Sequence, residues 1–371
     1  MASRQLTDKI LYLESLRGVA AICVAVSHFN IGSTLNNAFT NNGWLMVDFF
    51  FVLSGFVIAL NYQSRITTVT HLYQFQLRRF LRLYPLHLAT LLLFVGIELV
   101  KWIGQNLGLD SNSGAFTNNN FASFVANLFL VQNFFNSAMV WNSPSWSISA
   151  EFFTYVVFGF VVLLMARRRK LYLGLCAAVT LVSAYVLAQN DMTPYDGMGI
   201  VRCLHSFFLG VLCFNLYANI ELRIPNAVSY FLLIVSLLAV TYSGGYYDVT
   251  SVFIPAIFAM FILSLVAADQ DNYLKTMLTV RPLIYMGTIS YGIYMIHAAL
   301  WWLLTQIAKV LFGVPVTRGL RGGTQVLFDN TLIANSVMMF SLAGLILLAH
   351  CSYKYLERPV NDYRYKLAKF D

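Results

Sequence analysis

Charge is scarce in this chain. Asp, Glu, Lys and Arg make up only 11% of its 371 residues, against about a quarter in soluble domains. That is too little to clothe a water-facing globule. Cysteine is sparse too: there are five, an odd number, all in or beside apolar stretches and with no C-x-x-C pair. This argues against a disulfide frame or a metal site. Zinc-ligand spacings, glycine-rich nucleotide loops and a G-x-S-x-G elbow are missing; the pairs Gly244-Gly245 and Gly322-Gly323 read as loop residues. No repeat or low-complexity tract is present. The net charge of +8 comes with no nucleic-acid module. The first apolar stretch carries Glu14 and Arg17 and lacks a small-residue cleavage site, so it is expected to stay as a helix rather than be removed as a leader.

What is there is apolar, at 58% of residues with a mean hydropathy of +0.67. The apolar residues come in blocks of membrane-spanning length. They predict an all-α, polytopic transmembrane helical bundle of about ten spans: 11–29, 44–60, 83–103, 148–165, 171–187, 201–216, 228–242, 252–267, 283–307 and 332–353. Segment 121–135 is apolar but short, and reads as an interfacial helix inside a long loop. Eighteen lysines and arginines fall on segments that face one side in this scheme, against four on the other. The positive-inside rule then puts both termini in the cytoplasm. We expect one domain over 1–371, with no appended soluble domain.

Ionisable groups inside spans are costly and usually mark a pathway or a site. The first span holds Glu14, Arg17 and His28. Arg17 and His28 are eleven residues apart, about 16 Å of helical rise and within roughly 20° of one face. They suggest a polar track; the plainer alternative is a snorkelling arginine and a helix-end histidine. Asp48 opens the second span on the side where His28 closes the first, placed to orient its imidazole; the alternative is an aspartate facing water. Phe49-Phe50-Phe51 followed by Ser54-Gly55 suits close helix packing. Arg78, Arg79 and Arg82 precede the third span, and arginines fork onto phosphate oxygens; lipid headgroups are the alternative partner. Glu151 and Arg202 start their spans on one side and are placed to pair, and Trp146 suits an interfacial anchor. His297 lies mid-span between tyrosines, either in a site or as a hydrogen-bonded packing residue. His71, His87, His205 and His350 are assigned no role.

Several segments together resemble acyltransferase family 3, the membrane-bound enzymes that acylate surface polysaccharides and other acceptors. Leu13-Glu14-Ser15-Leu16-Arg17-Gly18 with His28 is similar to its arginine, ten residues, histidine signature. Val47-Asp48-Phe49-Phe50-Phe51-Val52-Leu53-Ser54-Gly55-Phe56 and Arg79-Phe80-Leu81-Arg82-Leu83-Tyr84-Pro85 resemble its next two elements. Trp146-Ser147-Ile148-Ser149-Ala150-Glu151-Phe152-Phe153, Ser290-Tyr291-Gly292-Ile293-Tyr294-Met295-Ile296-His297 and Tyr355-Leu356-Glu357-Arg358-Pro359 follow in family order.

The resemblance implies an acyl-CoA donor, most often acetyl-CoA, as co-substrate, with no tightly bound cofactor and no metal. It also implies a hydroxyl acceptor on a carbohydrate, a lipid-linked sugar, peptidoglycan or a small metabolite, and a bacterial inner-membrane location. Homo-oligomerisation stays open. In this scheme Arg79 and Arg82, with Arg78 beside them, hold the donor phosphates. His28 is the base and Asp48 orients it. Arg17 binds the donor or steadies developing negative charge, and an acyl-histidine intermediate is the alternative to direct transfer. Glu14, Trp146, Glu151, Arg202, Tyr291, His297 and Glu357 form the supporting or acceptor side. The rival class is a transporter or flippase for a sugar or lipid-linked substrate, although no duplicated halves are visible.

Overall fold

The computed structural model describes the backbone of residues 2–108, 114–135, 139–165, 167–220, 222–318 and 324–367, and side chains only within 11–363. Asp110, the Gly322-Gly323 pair and seven of the basic residues used for topology (Arg4, Lys9, Arg318, Arg321, Arg364, Lys366 and Lys369) lie outside the described side chains.

The helices are α1 (Ala2–Ser27), α2 (Ala38–Asn41), α3 (Met46–Tyr62), α4 (Val69–Asn106), α5 (Phe121–Leu128), α6 (Trp146–Met165), α7 (Arg169–Gln189) and α8 (Met198–Asn219). They continue with α9 (Asn226–Thr241), α10 (Ile254–Ala267), α11 (Tyr273–Leu278), α12 (Arg281–Thr288), α13 (Ser290–Phe312), α14 (Thr331–Ser352) and α15 (Arg358–Leu367). Among the described residues, eight helices are long and apolar enough to cross a membrane. They contain α3, α4, α6, α7, α8, α10, α13 and α14. The other two expected spans fall on α1, of 26 residues, and α9, of 16.

Boundaries differ from expectation in instructive places. The third span was expected over 83–103, but α4 starts at Val69, where Thr68 caps it, and runs unbroken for 38 residues through Pro85. At 1.5 Å per residue that is about 57 Å, nearly twice a hydrocarbon core. Arg78, Arg79 and Arg82 therefore sit on the helix itself. Segment 121–135 forms α5, eight residues long, followed by a 3₁₀ turn at Gln132–Phe134. A helix of about 12 Å cannot span a bilayer. The short antiparallel hairpin of β1 (Val316–Arg318) and β2 (Thr324–Val326) was not expected. Its β2 docks on the end of α1 through Val326 N–H to the Asn30 carbonyl.

Loop contacts sort the two ends of the bundle. Asn42 donates to the Thr241 and Ser243 carbonyls, Met192 N–H bonds the Tyr246 carbonyl, and Ser33 bonds Asn335. These contacts tie the loops of the expected outer side together. At the opposite, basic end, Gln63 and Asn215 exchange amide hydrogen bonds, and Ile224 N–H reaches the Ala267 carbonyl.

Small residues set the closest crossings. A Cβ on Gly55 would collide with the Phe207 carbonyl, and one on Gly210 with the Val52 carbonyl, so α3 and α8 touch backbone to backbone. This is the close packing expected of Ser54-Gly55. Gly18 of α1 and Gly287 of α12 do the same: a Cβ on Gly287 would strike the Glu14 carbonyl.

Candidate active site

Helix α1 ends at Ser27, and its last carbonyls lack helical N–H partners. His28 uses one of them. Its Nδ1 lies 2.8 Å from the Val24 oxygen, and Ser27 Oγ donates to the same oxygen at 2.7 Å. A carbonyl only accepts, so the imidazole proton sits on Nδ1 and Nε2 keeps its lone pair. Trp301 of α13 uses the next carbonyl, donating Nε1–H to Ala25 at 2.8 Å, and its ring stacks on Phe29.

That tie brings His28 to His297. The two ring centroids are 5.1 Å apart. His297 has no exposure at all, and its Nδ1 lies 2.6 Å from the Tyr294 carbonyl. Its Nε2 is buried without a hydrogen-bond partner. His28 is exposed, yet its ring rests on this fully buried one. One side of the ring is thus packed against the bundle interior while the residue keeps an exposed surface. The register follows from the glycines: α1 and α12–α13 cross at Gly18 and Gly287, and each histidine stands ten residues further along its own chain segment.

Asp48 does not orient His28. It is fully buried and paired with Arg202: Nε donates to both carboxylate oxygens at 2.9 and 3.0 Å, and Nη2 to Oδ2 at 2.5 Å. Ser206 adds a bond at 3.1 Å. The remaining guanidinium donors reach the Met192 and Trp44 carbonyls. Burial demands such saturation, because a partly paired charge in this setting costs several kcal/mol. This also corrects the expected Glu151–Arg202 pair: all three guanidinium nitrogens of Arg202 are engaged by Asp48 and two carbonyls, and Glu151 bonds elsewhere. Trp146 is 6% exposed and lies under Arg202, 5.3 Å from guanidinium carbon to ring centroid, so it is a packing partner and not an interfacial anchor.

Glu151 turns towards α3 instead. It accepts from Ser54 Oγ at 2.6 Å and from the Tyr155 hydroxyl. Arg79 reaches the same cluster from α4, its guanidinium lying over the Tyr62 and Tyr155 rings and donating to the Tyr62 hydroxyl at 3.2 Å. Arg78 is buried beside it. Further along α4, Arg82 acts electrostatically on Glu357 and Tyr291. Glu357 also accepts from Ser352 at 3.0 Å, inside the π-helical turn Tyr353–Glu357. Tyr291 donates to the Leu83 carbonyl, which pins α13 to α4.

Arg17 pairs with Glu14 at 3.5 Å. The helix between Arg17 and His28 is unbroken to Ser27, so about 16 Å of rise separates them. Arg17 turns to Glu14, one turn back towards the start of α1, while His28 stands past the other end of the helix. Two participants were missed in the sequence. Tyr294 bonds Ser147 at 2.8 Å and the Pro144 carbonyl at 3.0 Å. Tyr155 joins Glu151 to Arg79. The signals were present, since Tyr294 is three residues before His297 and Tyr155 four after Glu151, but spacing alone does not say what lies opposite.

Residues 10–351 match the family described as an acyltransferase domain, nearly the whole chain. The chain belongs to acyltransferase family 3. It is 28% identical to the acyltransferase MdmB of Streptomyces mycarofaciens, over 77% of each protein. It is 25% identical to the peptidoglycan O-acetyltransferase OatA of Listeria monocytogenes and to the putative peptidoglycan O-acetyltransferase YrhL of Bacillus subtilis. Those two alignments cover 94% of this chain but only 55% and 54% of the relatives, so the chain spans about half their length. No solved structure matches. Family membership makes this member of acyltransferase family 3 an integral membrane O-acyltransferase and sets aside the transporter class.

Proposed function

We propose that the protein moves an acyl group, acetyl in the simplest case, from acyl-CoA at the basic end of the bundle to a hydroxyl of a carbohydrate acceptor arriving from the loop end. The observation that carries this reading is the His28–His297 pair. An accessible imidazole with its proton fixed on Nδ1 presents a lone pair at Nε2, the arrangement a general base needs. The Val24 carbonyl holds the tautomer, in place of the aspartate expected there.

In this mechanism Arg79 and Arg82 receive the donor phosphates and Arg17, held by Glu14, binds the donor arm. The acceptor hydroxyl gives its proton to His28 Nε2 as its oxygen attacks the thioester carbon. The C–S bond breaks and the coenzyme leaves as a thiolate, which takes up the proton. The reading carries with it a bacterial cytoplasmic membrane as the location, with the basic end of the bundle facing the donor. The test is release of free thiol from acetyl-CoA by purified protein in detergent, with and without His28→Ala. We expect turnover by the parent protein and a loss of at least 100-fold in the variant, with an unchanged thermal unfolding midpoint. Equal turnover by both proteins removes His28 from the reaction.

A further inference from the structure

A cavity of about 380 Å³ opens at the basic end of the bundle, between the last turns of α3, α6 and α8. That volume falls within the range of ligand pockets. Its walls are apolar: Leu60 of α3, Leu163 of α6 and Phe214 of α8. Its floor is the amide pair of Gln63 and Asn215, which exchange hydrogen bonds at 2.9 Å in both directions. Tyr172 donates to Gln63 Oε1 at 3.1 Å, and Asn215 also donates to the Val211 carbonyl at 2.9 Å. These bonds fix the floor, so the cavity is preformed. Its rim carries Ser64, Thr67 and Arg167, all exposed.

The charge around this cavity has one sign. Among the described residues no Asp or Glu lines it, and Arg167 takes part in none of the ion pairs. Arg168, Arg169 and Lys170 follow it in sequence, and Arg65 lies in the loop that supplies Ser64 and Thr67; all four are exposed. A guanidinium beside hydroxyl and amide groups suits a phosphate. One lining cation matches a singly charged phosphodiester better than a nucleotide bearing several charges. Depth points the same way. The ends of spanning helices lie at the level of lipid headgroups, and basic pockets between spans on this side take anionic headgroups. The apolar walls suit the first methylenes of the acyl chains.

The cavity is separate from the Arg79 cluster. Tyr62 of α3 packs on Phe75 and Arg79 of α4, whereas Gln63, next in sequence, turns to Asn215 of α8. None of Arg78, Arg79 and Arg82 lines the cavity.

We propose that this cavity is a binding site for an anionic phospholipid of the leaflet at the basic end, with its phosphodiester held by Arg167 and the Ser64 hydroxyl. It is a ligand site additional to those of donor and acceptor.

The test measures thermal unfolding of the full chain in detergent, after removal of lipid confirmed by mass spectrometry. Micelles receive dioleoyl-phosphatidylglycerol, dioleoyl-phosphatidylcholine or inorganic phosphate. The variants are Arg167→Gln, which removes the lining charge, and Ala218→Trp, which fills the cavity from α8. Arg169→Gln, the same loss of charge outside the lining, is the control. A ligand of the folded state raises the midpoint by mass action; we expect phosphatidylglycerol to do so by about 4 °C or more in the parent and in Arg169→Gln. Phosphatidylcholine should not. The shift should fall by half or more in Arg167→Gln and in Ala218→Trp, and should persist in the parent when coenzyme A is present in excess. No shift in the parent, or equal shifts in the parent, Arg167→Gln and Arg169→Gln, overturns the site. An equal shift with inorganic phosphate makes it a free-anion site and overturns the lipid assignment. Loss of the phosphatidylglycerol shift in excess coenzyme A assigns the cavity to a soluble nucleotide and overturns it too.

Discussion

The imidazole rings of His28 and His297 stand 5.1 Å apart, tilted by 48°, although 268 residues separate them in sequence. The contact depends on features remote from either ring. Gly18 and Gly287 let two helices meet backbone to backbone, and Trp301 fastens the far end to the Ala25 carbonyl. The candidate site is a consequence of helix register.

Gly287→Val tests that dependence. The added side chain meets the Glu14 carbonyl and the Ser15 backbone, neither of which can rotate away. We expect a lower thermal unfolding midpoint and at least a tenfold loss of acetyl-CoA turnover. Gly96→Ala on α4 is the control, since a Cβ there meets nothing within 4 Å. It should be neutral or slightly stabilising, by up to about 1 kcal/mol from helix propensity. Full activity in Gly287→Val would mean that the register does not matter.

Asp48→Ala and Arg202→Met should each destabilise the protein by about 3–5 kcal/mol, because each leaves its partner charged and buried. The combined Asp48→Leu, Arg202→Met protein should recover much of that loss. Unfolding midpoints in detergent give the comparison. A direct role for Asp48 at the base predicts a different pattern: Asp48→Asn with a normal midpoint and a collapsed turnover.

Much of this fold was legible because the bilayer imposes coarse rules. Apolar blocks, the basic bias and the long Asn-rich loop follow from the cost of exposing charge and backbone to hydrocarbon. Pairings were less legible. Asp48, Glu151, Arg202 and His28 all sit near one end of their helices, and sequence spacing cannot say which carboxylate faces which base. Their places at facing ends of consecutive spans suggested Asp48 with His28. The decisive contact was made instead by α8, which packs on α3 through Gly55 and Gly210 and carries Arg202 onto Asp48. The extent of α4 was missed because its first turns are polar, and polarity does not end a helix capped by Thr68.

Arg79→Ala and Arg82→Ala should raise KM for acetyl-CoA at least tenfold. KM for acetyl-pantetheine, which lacks the nucleotide phosphates, should barely move. Arg79→Lys is the sharper variant. It keeps the charge but loses the planar contact with Tyr62 and Tyr155, so it should recover only part of the affinity. If both donors weaken equally, the arginines hold the bundle together and do not bind phosphate.

His297 separates function from stability. Its Nδ1 is satisfied by the Tyr294 carbonyl, while Nε2 has no partner in a fully buried position. Leaving such an atom unpaired costs about 1–3 kcal/mol. Phenylalanine fills a similar space and has no lone pair to strand. His297→Phe should therefore raise the unfolding midpoint by a few degrees while lowering acetyl-CoA turnover at least tenfold, with KM for the donor unchanged. His297→Gln, which restores a polar atom in that place, should return part of the turnover and forfeit the added stability. A variant that is less stable and fully active would show that His297 only packs, and would leave His28 to act without it.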